Sequence, residues 1–314
     1  MKRRTVLKNT VVIGAAALTG TAWSNAKTAA SPVPAQPRNR IGVSTYSFWQ
    51  FRGKRLGMPA CIDKAAEMGF DGVELLHVQM QDTSPVALRK LKRQAHALGL
   101  DLMGFSTHQG FLNPDPAVRQ QNVEKTIHQI ELAYALGIPT IRINTGRWRT
   151  SKNFDELMKN KGIEPVREGC TVEQGFEWVT ASIEKLLPKA EECGVVLGLE
   201  NHWGLGLTAE GVLRIVEKIN SPWLGMTLDT GNFLERSYEQ MELMAASKIP
   251  IQLVQAKTYY GGGRWYTLDI DYTRVAAVLR KYGYRGYISL EFEGNEDAQT
   301  GVPKSLALLR KHFG

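Results

Sequence analysis

Three carboxylates and one amide end short apolar segments in the second half of this 314-residue chain; they are Glu200, Asp229, Gln255 and Glu291. Each apolar segment has the length of a β-strand. Carboxylates that meet at one point repel one another and require a cation. The four side chains therefore predict a divalent metal site, for which oxygen ligands favour Mn, Mg or Co over Zn. As an alternative, each acid on its own could cap a helix or pair with an arginine.

A second set of polar residues stands at or just after segments of the same kind. Histidines, basic residues and acids can exchange hydrogen bonds with the polar groups of a small-molecule substrate. We predict that substrate is bound by Glu74, His108, Arg147, His202, Lys257 and Glu293. Structural alternatives stay open, because a lone histidine is often a packing residue and a basic side chain at the rim is often solvated. Aromatic candidates for stacking on a ring of the substrate are Phe48, Trp49, Trp203 and Tyr259, although packing residues look identical in sequence.

Alternating strand and helix patterns provide the frame that would bring these residues together. Strands are predicted at residues 41–46, 72–76, 101–106, 140–144, 195–200, 224–228, 251–255 and 287–291. Helices are predicted at residues 58–68, 85–98, 115–136, 172–193, 208–219, 238–247, 271–282 and 303–312. This order predicts an α/β fold, a single (β/α)8 TIM barrel over residues 41–314, whose C-terminal strand ends meet at one mouth. Residues 146–170 are predicted to lie over that mouth.

The alternative fold is an open, doubly wound parallel sheet. It is disfavoured because no G-x-G-x-x-G turn follows the first predicted strand.

The first 40 residues predict a targeting segment and a linker rather than part of the fold. Residues 1–26 combine a basic start, an apolar run and small residues suited to cleavage, so they predict an export signal. Arg3-Arg4-Thr5-Val6-Leu7-Lys8 resembles a twin-arginine signal, which gives a periplasmic or otherwise exported protein. An ordinary secretory signal or an uncleaved anchor is the alternative. Residues 27–40 are proline-rich and predict a linker.

Net charge and cysteine usage exclude several partners. The formal charge of +8 comes mainly from residues 1–40, and the rest of the chain carries +1, so no nucleic-acid partner is expected. The apolar run of the leader is too short to predict stable membrane insertion after processing. Cys61, Cys170 and Cys193 lack paired metal-ligand spacing and predict buried thiols, although export would permit one disulfide.

Five motifs in this order resemble those of the xylose isomerase-like barrel superfamily, in the branch of sugar phosphate isomerases and epimerases. The matching stretches are Gly72-Val73-Glu74-Leu75, Leu199-Glu200-Asn201-His202, Leu228-Asp229-Thr230-Gly231-Asn232, Val254-Gln255-Ala256-Lys257 and Ser289-Leu290-Glu291-Phe292-Glu293. The resemblance covers the chain from about residue 41 to its end. It implies a metal held by Glu200, Asp229, Gln255 and Glu291. Many relatives have a histidine where this chain has Gln255, whose carbonyl oxygen is a weaker, neutral ligand.

The resemblance also implies a chemistry. Ketose epimerases of this superfamily use two metal-bound glutamates as acid and base, which by analogy are Glu200 and Glu291 here. The metal polarises a carbonyl group, and one carboxylate removes the proton from the neighbouring carbon. An isomerase or epimerase reprotonates the resulting enolate. A lyase or dehydratase would instead expel a β-substituent from a 3-keto-glycoside or an inosose-like substrate, and this stays an alternative.

The predicted export favours a non-phosphorylated sugar or keto-sugar as the small-molecule substrate, because sugar phosphates are chiefly cytoplasmic. An endonuclease IV-like nuclease would need a histidine-rich zinc site and a basic face, which the near-neutral body does not offer. An exported sugar-binding module without catalysis would explain the aromatic residues, but it has no need for three carboxylates at one point. A homo-oligomer is compatible with the sequence.

Overall fold

The body of the protein is built from short apolar strands that alternate with helices, and the computed structural model describes residues 38–50, 52 and 54–314. The strands are β1 (Ile41–Ser44), β2 (Gly72–Leu76), β3 (Asp101–Ser106), β4 (Thr140–Ile143), β5 (Val196–Glu200), β6 (Leu224–Asp229), β7 (Ile251–Thr258) and β8 (Ile288–Phe292). The α-helices are α1 (Met58–Met68), α2 (Pro85–Ala97), α3 (Pro116–Leu136), α4 (Phe154–Lys159), α5 (Val172–Glu184), α6 (Leu187–Cys193), α7 (Ala209–Ile219), α8 (Ser237–Ala246), α9 (Tyr272–Lys281) and α10 (Ala298–Phe313). The predicted export signal and most of the predicted linker lie outside the described residues.

The eight strands form a closed parallel barrel in chain order, with β8 paired to β1. The strands are apolar on the outer face because helices cover the sheet all round. One continuous cluster of buried aliphatic and aromatic side chains fills the layer between strands and helices. The predicted (β/α)8 barrel is therefore confirmed, and the C-terminal strand ends share one mouth.

Two predicted helices differ from the structure. Residues 172–193 form α5 and α6 rather than one helix, because Pro188 has no N–H group to continue the helical hydrogen bonds and lies in the first turn of α6. The last helix begins at Ala298 rather than at Pro303, since the Asp297 side chain caps it by accepting from Gln299 N. Pro303 is accommodated inside α10.

Strand β7 runs to Thr258, beyond the predicted end at Gln255. Side chains two positions apart on a strand point to the same face. Gln255 and Lys257 therefore both point into the barrel, one above the other, and Lys257 pairs in register with Glu291 on β8.

The remaining fold-level predictions have mixed outcomes. Asn39, within the predicted linker, is buried and its backbone N–H donates to Phe313 O at 2.9 Å, so contacts with the barrel begin before residue 41. Cys61 is a buried thiol as predicted, but Cys170 and Cys193 are only half-buried because they lie in a loop and in the last turn of α6; no disulfide joins these three residues. Among the described residues, no helix combines the length and apolar character needed to cross a membrane.

Candidate active site

The three predicted metal-binding carboxylates lie at the ends of β5 and β6 and near the end of β8. Glu200 and Glu291 border the cavity described below, whereas Asp229 does not. Glu200 is 2% exposed, Asp229 is 0% exposed and Glu291 is 7% exposed. Asn201 fixes the relative position of the first two strands, because its side chain accepts from Asp229 N at 2.7 Å and donates to Asp229 O at 2.9 Å. Asn232 donates to Glu200 Oε1 at 3.3 Å.

A buried arginine that the sequence analysis did not single out neutralises Glu200. Arg142 lies in β4, and its Nη1 donates to Glu200 Oε2 at 2.9 Å while its Nε donates to Ser106 Oγ at 3.2 Å. Both charged side chains are almost fully buried. The available signal was the charge itself, since Arg142 stands between two apolar residues in the middle of a predicted strand.

Lys257 lies among three carboxylates. Its Nζ donates to Glu293 Oε1 at 2.7 Å and lies 3.3 Å from Asp229 Oδ2 and 3.4 Å from Glu291 Oε2. The contact with Asp229 is an ion pair by distance only, because Asp229 Oδ2 accepts no hydrogen bond. Burial disfavours the charged ammonium, but Asp229, Glu293 and Glu291 outweigh burial and raise the pKa of Lys257 well above its usual value. Lys257 is therefore a fixed cation at neutral pH.

Gln255 connects the mouth to a buried acid deeper in the barrel. Its Nε2 donates to Glu74 Oε1 at 2.7 Å and to Glu291 Oε1 at 3.1 Å. Glu74 also accepts hydrogen bonds from Ser106 and Ser289. Burial, and then the nearby Glu291, raise the pKa of Glu74 to about 7. Glu74 does not border the cavity described below, so its contacts here are with protein groups and not with the predicted substrate position.

Negative charge exceeds positive charge in this part of the protein. Four buried acids, Glu74, Glu200, Asp229 and Glu291, share two buried cations, Arg142 and Lys257. Burial raises the pKa of Glu200, Asp229 and Glu291, and the two cations only partly oppose that rise. A further cation, or a proton held by one of the acids, would relieve the excess charge.

The side chains of the predicted metal site fit a divalent cation in their chemistry. Asp229 Oδ2 and Gln255 Oε1 are buried oxygens that accept no hydrogen bond, and such atoms are commonly satisfied by an ion. In the present arrangement, no group of three or more His, Cys, Asp or Glu side chains among the described residues is gathered closely enough to hold a metal ion. Arg142 and Lys257 instead approach these carboxylates. A metal bound to Asp229 Oδ2 and Glu291 Oε2 would compete with the Lys257 ammonium for these oxygens.

A cavity of about 480 Å³ opens above these groups. It is bordered by Glu200 and Glu291 and by five of the six predicted substrate-binding residues, namely His108, Arg147, His202, Lys257 and Glu293. Burial and the charge of Arg142 lower the pKa of His108 and His202 well below the usual value. Both imidazoles are therefore neutral at pH 7 and can donate or accept hydrogen bonds.

The outer wall of the cavity is aromatic, and most of it was missed in the sequence. Phe154, Trp203, Trp265 and Tyr266 border the cavity, and of these only Trp203 had been predicted. The other predicted stacking residues, Phe48, Trp49 and Tyr259, do not border it. Phe154 comes from the 146–170 segment, which thus lies at the mouth as expected. A signal for Trp265 was its position just after the Gly261-Gly262-Gly263 turn.

Comparison with known proteins agrees with this architecture. The sequence pattern of the xylose isomerase-like TIM barrel family matches residues 62–312. The chain belongs to this family. Among proteins of similar sequence, the 3-oxo-isoapionate decarboxylase of Pectobacterium atrosepticum is 25% identical to this chain over 221 residues, which are 68% of this chain and 67% of that protein.

Two further similarities cover the barrel to different extents. The C-glycoside deglycosidase alpha subunit of Arthrobacter globiformis is 33% identical over 155 residues, which are 46% of this chain and 41% of that subunit. The solved structure of 3-keto-D-glucoside 4-epimerase from E. coli superimposes with a TM-score of 0.65 at 18% identity, covering 87% of this chain and 100% of that chain. At that identity, the structural likeness shows the fold alone.

Proposed function

We propose that this xylose isomerase-like barrel is a metal-dependent sugar isomerase or epimerase that removes a proton next to a carbonyl group. Its substrate is a non-phosphorylated sugar or keto-sugar, in keeping with the predicted export of the chain to the periplasm. The observation that carries the proposal is that Glu200 and Glu291 border one cavity at the barrel mouth, each buried and each beside a cation.

The acid and base roles follow from the surroundings of the two glutamates. Because burial raises the pKa of both, one of them can hold a proton while the other is ionised. Glu291 as carboxylate takes the proton from the substrate carbon. The C–H electron pair forms the C=C bond of an enolate, and the π pair of the carbonyl group moves onto its oxygen. Glu200 as acid returns a proton to carbon from the other side. Arg142 holds Glu200 in position through the bond at 2.9 Å.

Other side chains of the cavity bind and orient the substrate. The Lys257 ammonium can donate to the enolate oxygen, and neutral His108 and His202 can hydrogen-bond hydroxyl groups. A divalent cation held by Glu200, Asp229, Gln255 and Glu291, with Mn, Mg or Co favoured over Zn, would polarise the carbonyl and acidify the adjacent C–H bond.

A lyase is the second candidate. The named relatives include a 3-oxo-isoapionate decarboxylase and a C-glycoside deglycosidase subunit, so enzymes named for bond cleavage are found among proteins similar to this chain. The first step would be the same proton removal by Glu291. The enolate would then expel a β-substituent instead of taking up a proton on carbon.

The decisive experiment follows solvent deuterium. The purified protein, supplied in turn with Mn, Mg and Co, is incubated in D₂O with free ketoses, keto-sugars and 3-keto-glycosides, and the products are examined by NMR and mass spectrometry. Deuterium on the carbon next to the carbonyl supports the proposal, and an altered configuration or a released aglycone distinguishes the epimerase from the lyase. If sugars bind but none takes up deuterium from the solvent in the presence of Mn, Mg or Co, the chain is a sugar-binding module and the proposal fails.

A further inference from the structure

An apolar cluster separate from the barrel core covers the mouth. Its buried members are Leu157, Met158 and Trp203, and half-buried Phe154 and Trp265 pack against them. These residues come from the segments that follow β4, β5 and β7. Because the cluster lies outside the barrel core, its apolar side chains are not required to fill the barrel.

Specific contacts hold Trp265 over the cavity. Its ring lies 4.5 Å from that of Phe154 at an interplanar angle of 68°, an edge-on arrangement favoured by aromatic pairs. Its indole N–H donates to Asp155 Oδ1 at 2.7 Å. The Arg264 guanidinium lies 4.7 Å from the centre of the Trp265 ring. The indole is thus fixed between two loops that are distant in sequence.

The cavity therefore has two chemically different ends. Carboxylates, Lys257 and two histidines line the floor, whereas the outer wall combines the aromatic rings of Phe154, Trp203 and Trp265 with the basic side chains of Arg147 and Arg264. A sugar ring could contact these aromatic side chains only through its C–H face, whereas an aromatic ring would bury more apolar surface against them and could form edge-on or offset-stacked pairs. A ligand with one polar ring and one apolar ring would satisfy both ends. At about 480 Å³, the cavity lies within the range that accommodates drug-sized molecules.

We infer that the aromatic wall formed by Phe154, Trp203 and Trp265 is a binding subsite for the aromatic aglycone of a glycoside. The inference rests on the proposed function, since it places the carbonyl-bearing sugar ring at Glu200 and Glu291. It narrows the substrate class from sugars in general to glycosides with an apolar second ring. The ring of the aglycone stacks against Trp265 and Phe154 while the sugar ring occupies the polar floor.

Equilibrium binding of stable glucosides tests the subsite without turnover. Isothermal titration of the full chain in the presence of Mn compares methyl glucoside, phenyl glucoside and cellobiose, using both anomers of the first two. For the preferred anomer, we expect phenyl glucoside to bind at least about tenfold more tightly than methyl glucoside. Equal affinities for the two would overturn the inference. Tightest binding of cellobiose would also overturn it and assign the wall to a second sugar.

Substitutions in the aromatic wall test whether it is the source of the preference for phenyl glucoside over methyl glucoside. Trp265→Ala and Phe154→Ala should each remove most of the phenyl preference while leaving the affinity for methyl glucoside within about twofold. Tyr134→Ala is the matched control, because this aromatic residue is 63% exposed on α3. Persistence of the preference in both cavity variants would contradict the assignment. Thermal unfolding checks each variant, and Phe154→Ala gives an independent result if Trp265→Ala does not fold.

The deuterium experiment separates this inference from the proposed reaction. Proton exchange without a preference for phenyl glucoside would contradict the subsite and support the proposed reaction. A preference for phenyl glucoside without proton exchange on any keto-sugar would support the subsite and contradict the proposed reaction.

Discussion

Arg142 on β4 donates a hydrogen bond of 2.9 Å from its Nη1 to Oε2 of Glu200 on β5, with both side chains almost fully buried. Such a pair is costly to form, because both charges leave water, and costlier to break, because one charge then stays buried alone. Beside this pair, Asp229, Glu291 and Glu293 share the ammonium of Lys257. The free energy of unfolding should therefore depend on keeping both members of this pair.

Removing the arginine alone should destabilise the protein strongly. We expect Arg142→Met to lower the free energy of unfolding by about 3–5 kcal/mol, because Glu200 stays buried without its partner. The double variant Arg142→Met/Glu200→Gln should recover part of the loss, and urea unfolding of all four proteins gives the coupling energy. Additive effects of the two substitutions would show that the pair contributes nothing to stability.

Gln255 is expected to contribute to metal affinity. Its Oε1 is buried and accepts no hydrogen bond, so replacing it with Leu should weaken binding of Mn or Co at least about tenfold. Gln255→His should strengthen binding of Zn relative to Mg, since imidazole suits zinc and is a poor ligand for magnesium. Calorimetric titration of the chelator-treated protein measures both effects.

Gln79→Leu is the matched control for the metal experiment. Gln79 is equally buried and its Oε1 also accepts no hydrogen bond, but its amide group donates to Leu56 O and Cys61 Sγ, outside the cavity. It should leave metal affinity unchanged. If Gln79→Leu and Gln255→Leu weaken metal binding equally, or if the unaltered protein binds no divalent cation, Gln255 is not a ligand.

The sequence was most informative where strand periodicity decides position. Glu200, Asp229 and Glu291 end apolar segments of a regular barrel, so their convergence follows from the fold. The predicted strand ended at Gln255, so Lys257 was expected after β7, whereas the structure includes it within β7. Local sequence does not set the exact end of a strand. The pairing of Lys257 with three carboxylates, which makes it part of the mouth, depends on tertiary contacts.

The aromatic wall and the buried arginine were predictable only in part. Trp265 is held by Asp155, which precedes it by 110 residues, and no periodic pattern connects the two. Arg142 could have been selected because a charge inside an apolar strand requires a partner. Its partner on the neighbouring strand became evident only from the register of β4 and β5.

Gly162 should be essential for the position of Trp203 in the cavity wall. Its backbone has φ +81°, and an added Cβ would lie 2.4 Å from Trp203 Cε3. We expect Gly162→Ala to displace the indole and to weaken binding of phenyl glucoside at least about fivefold, as overpacking commonly shifts neighbouring groups. Gly169→Ala is the control, because φ is +74° but an added Cβ meets no atom within 4 Å.

Both glycine variants carry the same left-handed backbone cost of about 1–2 kcal/mol. Urea unfolding measures that shared cost, and titration with phenyl glucoside measures the effect on the wall. Equal losses of affinity in the two variants would mean that backbone strain, rather than contact with Trp203, is responsible.

Glu291→Gln tests the assignment of the base. The amide is almost the same size as the carboxylate and can keep the contact with Gln255, so the fold should be retained while proton removal is lost. We expect the rate of deuterium uptake from D₂O to fall by about 10²–10⁴-fold, the usual contribution of a general base. Glu242→Gln is the matched control, since Glu242 is half-exposed on α8 and pairs with Lys281 far from the mouth. Its exchange rate should equal that of the unaltered protein. Exchange at an undiminished rate in Glu291→Gln would assign the base to another group, for which Glu200→Gln is the next variant to compare.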